Sequence, residues 1–347
     1  QAALGRTQSI KRGSSNKKKG SVKEDSEMDN HVNNAREVIF LDPVCSHNIW
    51  GGSRLGEEFG YGVEGSDIGE CWGISAHPNG DGTVRGGAYD GKKLSELWSG
   101  HPELFGNLQY DRYPLLTKII DAQDDLSIQV HPDDDYAQKN ENGSLGKTEC
   151  WYIMDCAENG TLVAGHNARS REELSRMVEE GRWKELIREI PIKKGDFIQI
   201  EPGTVHAIKA HTLILETQQN SDITYRLYDY DRVQANGKKR ELHIQKSLDV
   251  ITVDGEEQPN VESTCGLPEN VLNQIYSCEK YDIFKLTVNK EAVIDQKYPF
   301  LAASVLEGEG QIDGSPLGKG DHFIVPAGYG ELRISGNMSL ILSTVEE

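Results

Sequence analysis

A mainly β fold is what this chain predicts, and three observations carry the prediction. Short apolar runs are divided by glycine turns along almost the whole sequence. Glycine is abundant, 36 of 347 residues with 12 prolines, which favours tight turns over a helical bundle. One turn–strand–turn unit occurs twice, at Lys193–Ile208 and again at Gly318–Ile334.

Taken in order, "VIFLDP", "YPLLTKIIDA", "LSIQVHP", "CWYIMDC", "GTLVAG", "DFIQIEPG", "HTLILETQ" and "ITYRLYDYDR" read as strands. They recur at roughly the spacing of a sandwich or barrel. Two segments break the pattern. Ser170 to Ile190 has 3.6-residue apolar periodicity behind a Ser-x-x-Glu start and reads as one or two short helices. Lys92 to Gly106 is a second helical candidate. Residues 1–34 hold almost no large apolar side chains and no signal-peptide core, and read as a disordered leader or an appended extension. The folded part starts near Ala35.

Bulk properties exclude several classes of function. The net charge is −19, and an acidic surface repels nucleic acid. It leaves room for a small anionic substrate in a local cationic pocket. No apolar run approaches the ~18–20 residues of a membrane span. The six cysteines form no CxxC pair and no dense framework, which reads as reduced thiols in a cytoplasmic protein. Oligomerisation is left open. There is no GxxxxGK or GxGxxG loop, so no nucleotide fold is indicated.

In the repeated unit, Lys-Gly-Asp launches a strand and a Pro-Gly turn ends it. This is the pattern of a cupin-type double-stranded β-helix. The first copy places His206 just after its turn, whereas the second has Gly330 and Glu331 there. Only the first copy keeps a ligand histidine. The chain therefore divides into a metal-binding cupin domain over 35–260, with short helical segments, and a cupin-like β domain over 261–347 that lacks metal ligands.

The stretch "LSIQVHP" alternates Leu126, Ile128 and Val130 with Ser127, Gln129 and His131. Gln129 and His131 thus share the polar face of a strand. Glu149 begins a run 18 residues on, and His206 follows a strand 57 residues later. Two histidines and a carboxylate from different strands suit zinc and related ions. A single histidine in such a place is as a rule structural, so spacing leaves the set open.

Six blocks carry a resemblance: "NIWGG" (Asn48–Gly52), "IGECWGISAHPNG" (Ile68–Gly80), "YPLLTKIIDAQDDLSIQVHPDD" (Tyr113–Asp134), "GKTECWYI" (Gly146–Ile153), "EPGTVHAI" (Glu201–Ile208) and "TYRLYDYDR" (Thr224–Arg232). In that order they resemble the type I mannose-6-phosphate isomerases in their short bacterial form. The likeness runs from about Val38 to Glu347, without the large helical insertion of the long members. It implies a cupin fold, one Zn2+ per chain and interconversion of mannose 6-phosphate with fructose 6-phosphate. His131, Glu149 and His206 become the metal ligands, Gln129 a further oxygen donor, and Arg226 the active-site arginine.

The chemistry assigns the other roles. An aldose–ketose isomerase moves a proton between C1 and C2 through an enediolate, so it needs a base. Glu216, ten residues before Arg226, and Lys147 are the rival candidates. Lys118, flanked by apolar residues, and Lys147, two residues before Glu149, are expected in the substrate pocket. Trp50 and Trp72 read as core or pocket-wall aromatics. Competing readings are a cupin metalloenzyme for another sugar or sugar phosphate, a sugar-responsive binding protein, and an iron dioxygenase. Lys147 and Arg226 suit an anionic sugar better than oxygen chemistry, and an intact ligand set argues for an enzyme.

Overall fold

A computed structural model of the chain describes residues 37–234, 236–253 and 259–346. The expected leader, 1–34, lies outside the described residues. The chain opens with β1 (Ile39–Asp42), β2 (Val44–Gly52), β3 (Ile68–His77), β4 (Gly80–Asp81) and β5 (Thr83–Val84). A helix at Leu94–Gly100 and a 3-10 turn at Pro102–Phe105 lead to β6 (Leu115–Ala122) and β7 (Ile128–Val130). After a helix at Asp134–Asn140 come β8 (Glu149–Asp155) and β9 (Thr161–His166). Helices Arg171–Glu179 and Trp183–Leu186 precede β10 (Ile187–Pro191), β11 (Asp196–Ile200), β12 (His206–Ala207), β13 (Thr212–Gln219) and β14 (Tyr225–Tyr228). The helix Ile244–Val250 separates these from β15 (Val261–Ser263), β16 (Asn273–Ser277), β17 (Asp282–Gln296), β18 (Phe300–Ile312), β19 (Ser315–Gly318), β20 (His322–Pro326) and β21 (Gly330–Thr344). No described helix is long and apolar enough to cross a membrane.

The strands form three sheets, giving the mainly β, cupin-type jelly roll that the repeats predict. One sheet runs β15-β11-β8-β13-β6-β2-β3-β4, and a second runs β10-β9-β12-β7-β14. The third runs β16-β17-β21-β18-β20-β1-β5. None of these orders closes on itself, so the described strands form open packed sheets rather than the two barrels expected of a cupin pair. The sheets also trade strands along the sequence. β1 pairs with β20 of the C-terminal half, and β15 pairs with β11 of the first half.

Alternation explains which residues reach the interior between the first two sheets. On β6, Leu115 and Ile119 pack toward the third sheet, while Ile120 and Ala122 face the second. Lys118 shares the second parity. On β13, Leu213 and Leu215 take the first direction and Ile214 the other, the side of Glu216. On β8, Cys150 and Tyr152 oppose Trp151 and Ile153, and Glu149 shares the parity of Trp151. All eight residues of β6 are buried because both of its faces are covered.

β7 behaves differently. Ile128 and Val130 pack beneath the helices Arg171–Glu179, Trp183–Leu186 and Ile244–Val250, so Gln129 points inward. Leu126 joins the inter-sheet core instead, because pairing of β7 starts only at Ile128. Two sequence expectations need correction. The helical segment stops at Leu186, and Ile187–Pro191 pairs with β9 as a strand. Cys45 and Cys71 are a disulfide rather than free thiols. They sit directly opposite in the β2–β3 register, with Cα atoms 3.9 Å apart, a proximity that a 26-residue spacing does not reveal. Cys150, Cys156, Cys265 and Cys278 are free.

Candidate metal centre and pocket

Two rows of side chains face each other between the first and second sheets. In the second sheet the register pairs His206 with Gln129 and Gln129 with Arg226, so one row crosses β12, β7 and β14. In the first sheet Trp151 pairs with Glu216, Glu216 with Lys118 and Lys118 with Trp72. Glu149 lies two residues before Trp151 on the same face. Turns hold the loose ends. Gly203, at φ +85°, ends the Pro-Gly turn and donates its N–H to the His131 carbonyl at 2.9 Å. A Cβ at Gly146 would lie 2.4 Å from the Asp133 backbone, so glycine is what lets the loop before Lys147 approach that helix start.

His131, Glu149 and His206 converge and are essentially inaccessible, at 1, 0 and 1% exposure. His131 Nδ1 donates to the Ile223 carbonyl at 2.8 Å, and His206 Nδ1 to the Thr204 carbonyl at 2.9 Å. A backbone acceptor at Nδ1 fixes the tautomer and leaves each Nε2 a bare lone pair. These two lone pairs lie 3.2 Å apart. Glu149 Oε2 is 3.4 Å from His131 Nε2, and Oε1 is 3.3 Å from His206 Nε2. Glu149 Oε1 is buried without a hydrogen-bond partner.

Three acceptors converging this closely suit a cation. Ligands about 2.0–2.1 Å from a tetrahedral ion are about 3.3–3.4 Å from one another. The three separations match that edge length. The amide of Gln129 lies 3.5 and 3.3 Å from the two Nε2 atoms and can turn its oxygen toward the same point. The residues therefore fit a zinc-type ion, with Gln129 at a fourth corner. Burial and the Lys147 charge hold His131 neutral down to about pH 4, and burial lowers His206 too. Burial alone would raise the Glu149 carboxyl, but Lys147 and the two imidazoles outweigh it and keep it well below the usual range.

The predicted pocket residues surround this centre. Lys147 Nζ lies 2.8 Å from Glu149 Oε2 and 3.1 Å from His131 Nε2. Glu216 Oε2 accepts from Trp151 Nε1 at 2.9 Å, and its Oε1 lies 2.9 Å from Lys118 Nζ. Trp151 also sets its ring edge-on to His206, centroids 5.5 Å apart, which ties the carboxylate to the ligand set. Burial opposes the charge on Lys118, but Glu216 and Glu70 prevail and raise its pKa. Trp72 covers Lys118 at 5.6 Å from its ring centroid. Gln129, Lys118, Lys147, Glu216 and Arg226 all line one pocket, with Trp50 and Trp72 in its wall.

Glu70, Ser127 and Arg240 are among the lining residues that the sequence does not mark as site residues. Glu70 lies 3.5 Å from Lys118, and Ser127 precedes Gln129 on the inward face. Glu70 alternates with Trp72 in "IGECWG", a signal that could have placed it. Arg240 comes from a loop, "GKKREL", with no periodicity to read.

The chain matches known proteins over most of its length. The family description "Phosphomannose isomerase type I, catalytic domain" fits residues 38–154, and "Mannose-6-phosphate isomerase, cupin domain" fits residues 272–345. The chain is 48% identical over 311 residues to the mannose-6-phosphate isomerase ManA of Bacillus subtilis (strain 168), covering 88% of this chain and 98% of that one. It is 44% identical to the mannose-6-phosphate isomerase of Streptococcus mutans, over 90 and 99% of the two chains. The crystal structure of the mannose 6-phosphate isomerase from Bacillus subtilis superposes with a TM-score of 0.85 at 47% identity, over 89 and 99% of the chains.

Proposed function

Because the chain belongs to the type I phosphomannose isomerase family and has mannose-6-phosphate isomerase activity, we propose that it works with one zinc ion held by His131, Glu149 and His206. The proton moves between C1 and C2 of the sugar through an enediolate, linking mannose 6-phosphate with fructose 6-phosphate. The observation that carries the metal is the buried acceptor triad, whose three separations of 3.2, 3.4 and 3.3 Å match the edges of a tetrahedral zinc-type site. When bound, the ion supplies a Lewis acid for the oxygens that become anionic, worth several kcal/mol.

The chain's own groups do the rest. Gln129 completes the donor set and borders the substrate. Arg226, beside Gln129 in the row, presents a fixed, permanently charged fork to the developing oxyanion. Glu216 is the base. Trp151 orients its carboxylate through Oε2, and Lys118 Nζ lies 2.9 Å from Oε1. Lys147, which touches both a ligand oxygen and a ligand nitrogen, is the rival. Glu216→Gln lowers kcat by ~100-fold or more if Glu216 takes the proton. A variant with near-normal kcat hands the role to Lys147. We also propose that the C-terminal half is structural, and that the enzyme resides in the cytoplasm, since a phosphorylated sugar is too polar to cross a bilayer.

One coupled assay tests the core of this reading. Turnover of mannose 6-phosphate is followed before and after chelation, with metal content read on the same sample. Activity is expected to vanish with the metal and return with zinc. A protein carrying one equivalent of metal with no turnover would remove the substrate assignment and keep the site.

A further inference from the structure

The four cations that line the pocket are not equivalent. Lys118 is paired with Glu216 and Glu70, and Lys147 with Glu149. Their charge is already balanced by these carboxylates. Arg226 has no carboxylate within ion-pair distance among the described residues. Its Nη1 donates to the Glu241 carbonyl at 2.8 Å, and its Nε is buried with no partner. Arg240 directs Nε and Nη2 onto the two oxygens of Asp229, at 2.8 and 2.5 Å. Asp229, 4% exposed, also accepts Arg232 Nη2 at 2.5 Å.

Two guanidinium groups, those of Arg232 and Arg240, therefore hold one buried carboxylate, and Arg240 shares the pocket lining with Arg226. Burial, then the charge of Arg240, pulls the Arg226 pKa down, so these two groups repel each other. Uncompensated like charge at a cleft is what a polyanion relieves. Position adds to this. β14 is the outermost strand of its sheet, and Arg240 comes from the loop beyond it. Along the register from His206 one meets Gln129 and then Arg226, and Arg240 lines the same pocket. A hexose 6-phosphate has the same polarity: reacting carbons at one end, dianion at the other.

We infer that Arg240, its guanidinium oriented by Asp229, binds the phosphate of the substrate at the outer end of the pocket, beyond Arg226. The inference rests on the isomerase reading and deepens it. A guanidinium held by two bonds to a carboxylate still offers a third nitrogen, and phosphate accepts such donors well. Asp229 is a positioning residue here. Asp222, another carboxylate in the pocket lining, accepts from Asn79 Nδ2 at 2.6 Å.

Arg240→Ala leaves Asp229 paired with Arg232, so the carboxylate is not stranded and the fold is expected to hold. On the zinc-loaded full chain, KM for mannose 6-phosphate should rise at least ~10-fold, most of the loss falling in KM rather than kcat. Inorganic phosphate, titrated calorimetrically, should bind correspondingly more weakly. Arg240→Lys, which keeps the charge and loses the fork, should lie between. A folded, zinc-loaded Arg240→Ala whose KM and phosphate affinity are within twofold of the parent overturns the inference. If the parent itself fails to turn over mannose 6-phosphate, the isomerase reading is what fails. The phosphate titration of parent against variant still decides the anion site.

Discussion

The Lys-Gly-Asp turn that starts β11 and the one that starts β20 are built alike. In the first, Asp196 accepts the Lys193 N–H at 2.9 Å; in the second, Asp321 accepts the Gly318 N–H at 2.8 Å. Gly195 and Gly320 have φ of +88° and +93°. The strands that follow run into turns of the same kind. Past those turns the halves diverge. One interior receives His206 and joins it to His131, Glu149, Lys118 and Glu216, all buried. The other is filled by Leu286, Val305, Phe323, Val325, Leu332, Ile334 and Leu340.

The difference separates frame from filling. Turn chemistry sets the frame and is shared. The filling answers to separate demands. Buried charges must each find a partner, and their desolvation offsets most of the attraction between them, so the half holding His131, Glu149 and His206 gains function rather than stability. Apolar side chains contribute by leaving water, and the C-terminal half is built of them. A third cluster packs the two together, with Ile119 and Leu215 on one side and Phe300, Ile324 and Ile341 on the other.

The comparison is sharpest where a ligand is removed. His131→Ala should drop metal content from about one equivalent per chain to near zero and abolish turnover. Retained metal stoichiometry in that variant would sink the ligand assignment. Arg226→Ala should keep its metal and lose ~100-fold or more in kcat. A near-normal kcat there would remove Arg226 from the chemistry.

A pH titration probes the other half. His322 is fully buried, with Nε2 2.8 Å from the Tyr61 hydroxyl and Nδ1 2.8 Å from Ser304 Oγ. Burial pushes its pKa down to about 4, against about 6.5 in an unfolded chain. As pH falls below 6.5 the unfolded chain takes up this proton first. The contribution is therefore intact above pH 6.5 and declines toward pH 4, by up to ~1.4 kcal/mol per pH unit. In His322→Gln, melting curves over that range should show a shallower decline, and an identical slope would acquit His322.

The smallest effect belongs to the apolar filling. Ile334→Val should cost about 0.5–1.5 kcal/mol in denaturant unfolding. Zinc content and kcat should stay at parental values, and a fall in either would couple the halves more tightly than their packing suggests.

Sequence pattern alone carries the mainly β class, the repeated turn units, and the placement of Gln129 and His131 on one face. Each of these is a local property, written in side-chain alternation and in turn residues whose φ angles leave few choices. Naming His131, Glu149 and His206 as a set needed the ordered family blocks, since three residues 18 and 57 positions apart have no local signal. Other features belong to register between distant strands. The Cys45–Cys71 pairing, the Glu70–Lys118 contact, the strand at Ile187–Pro191 and the outermost place of Arg226 all arise when sheets choose neighbours. So does the burial of both faces of β6, which erases the alternation that would have marked Lys118. Tertiary structure decided these because a strand's partner is selected by long-range packing, and nothing in the ten residues around it records that choice.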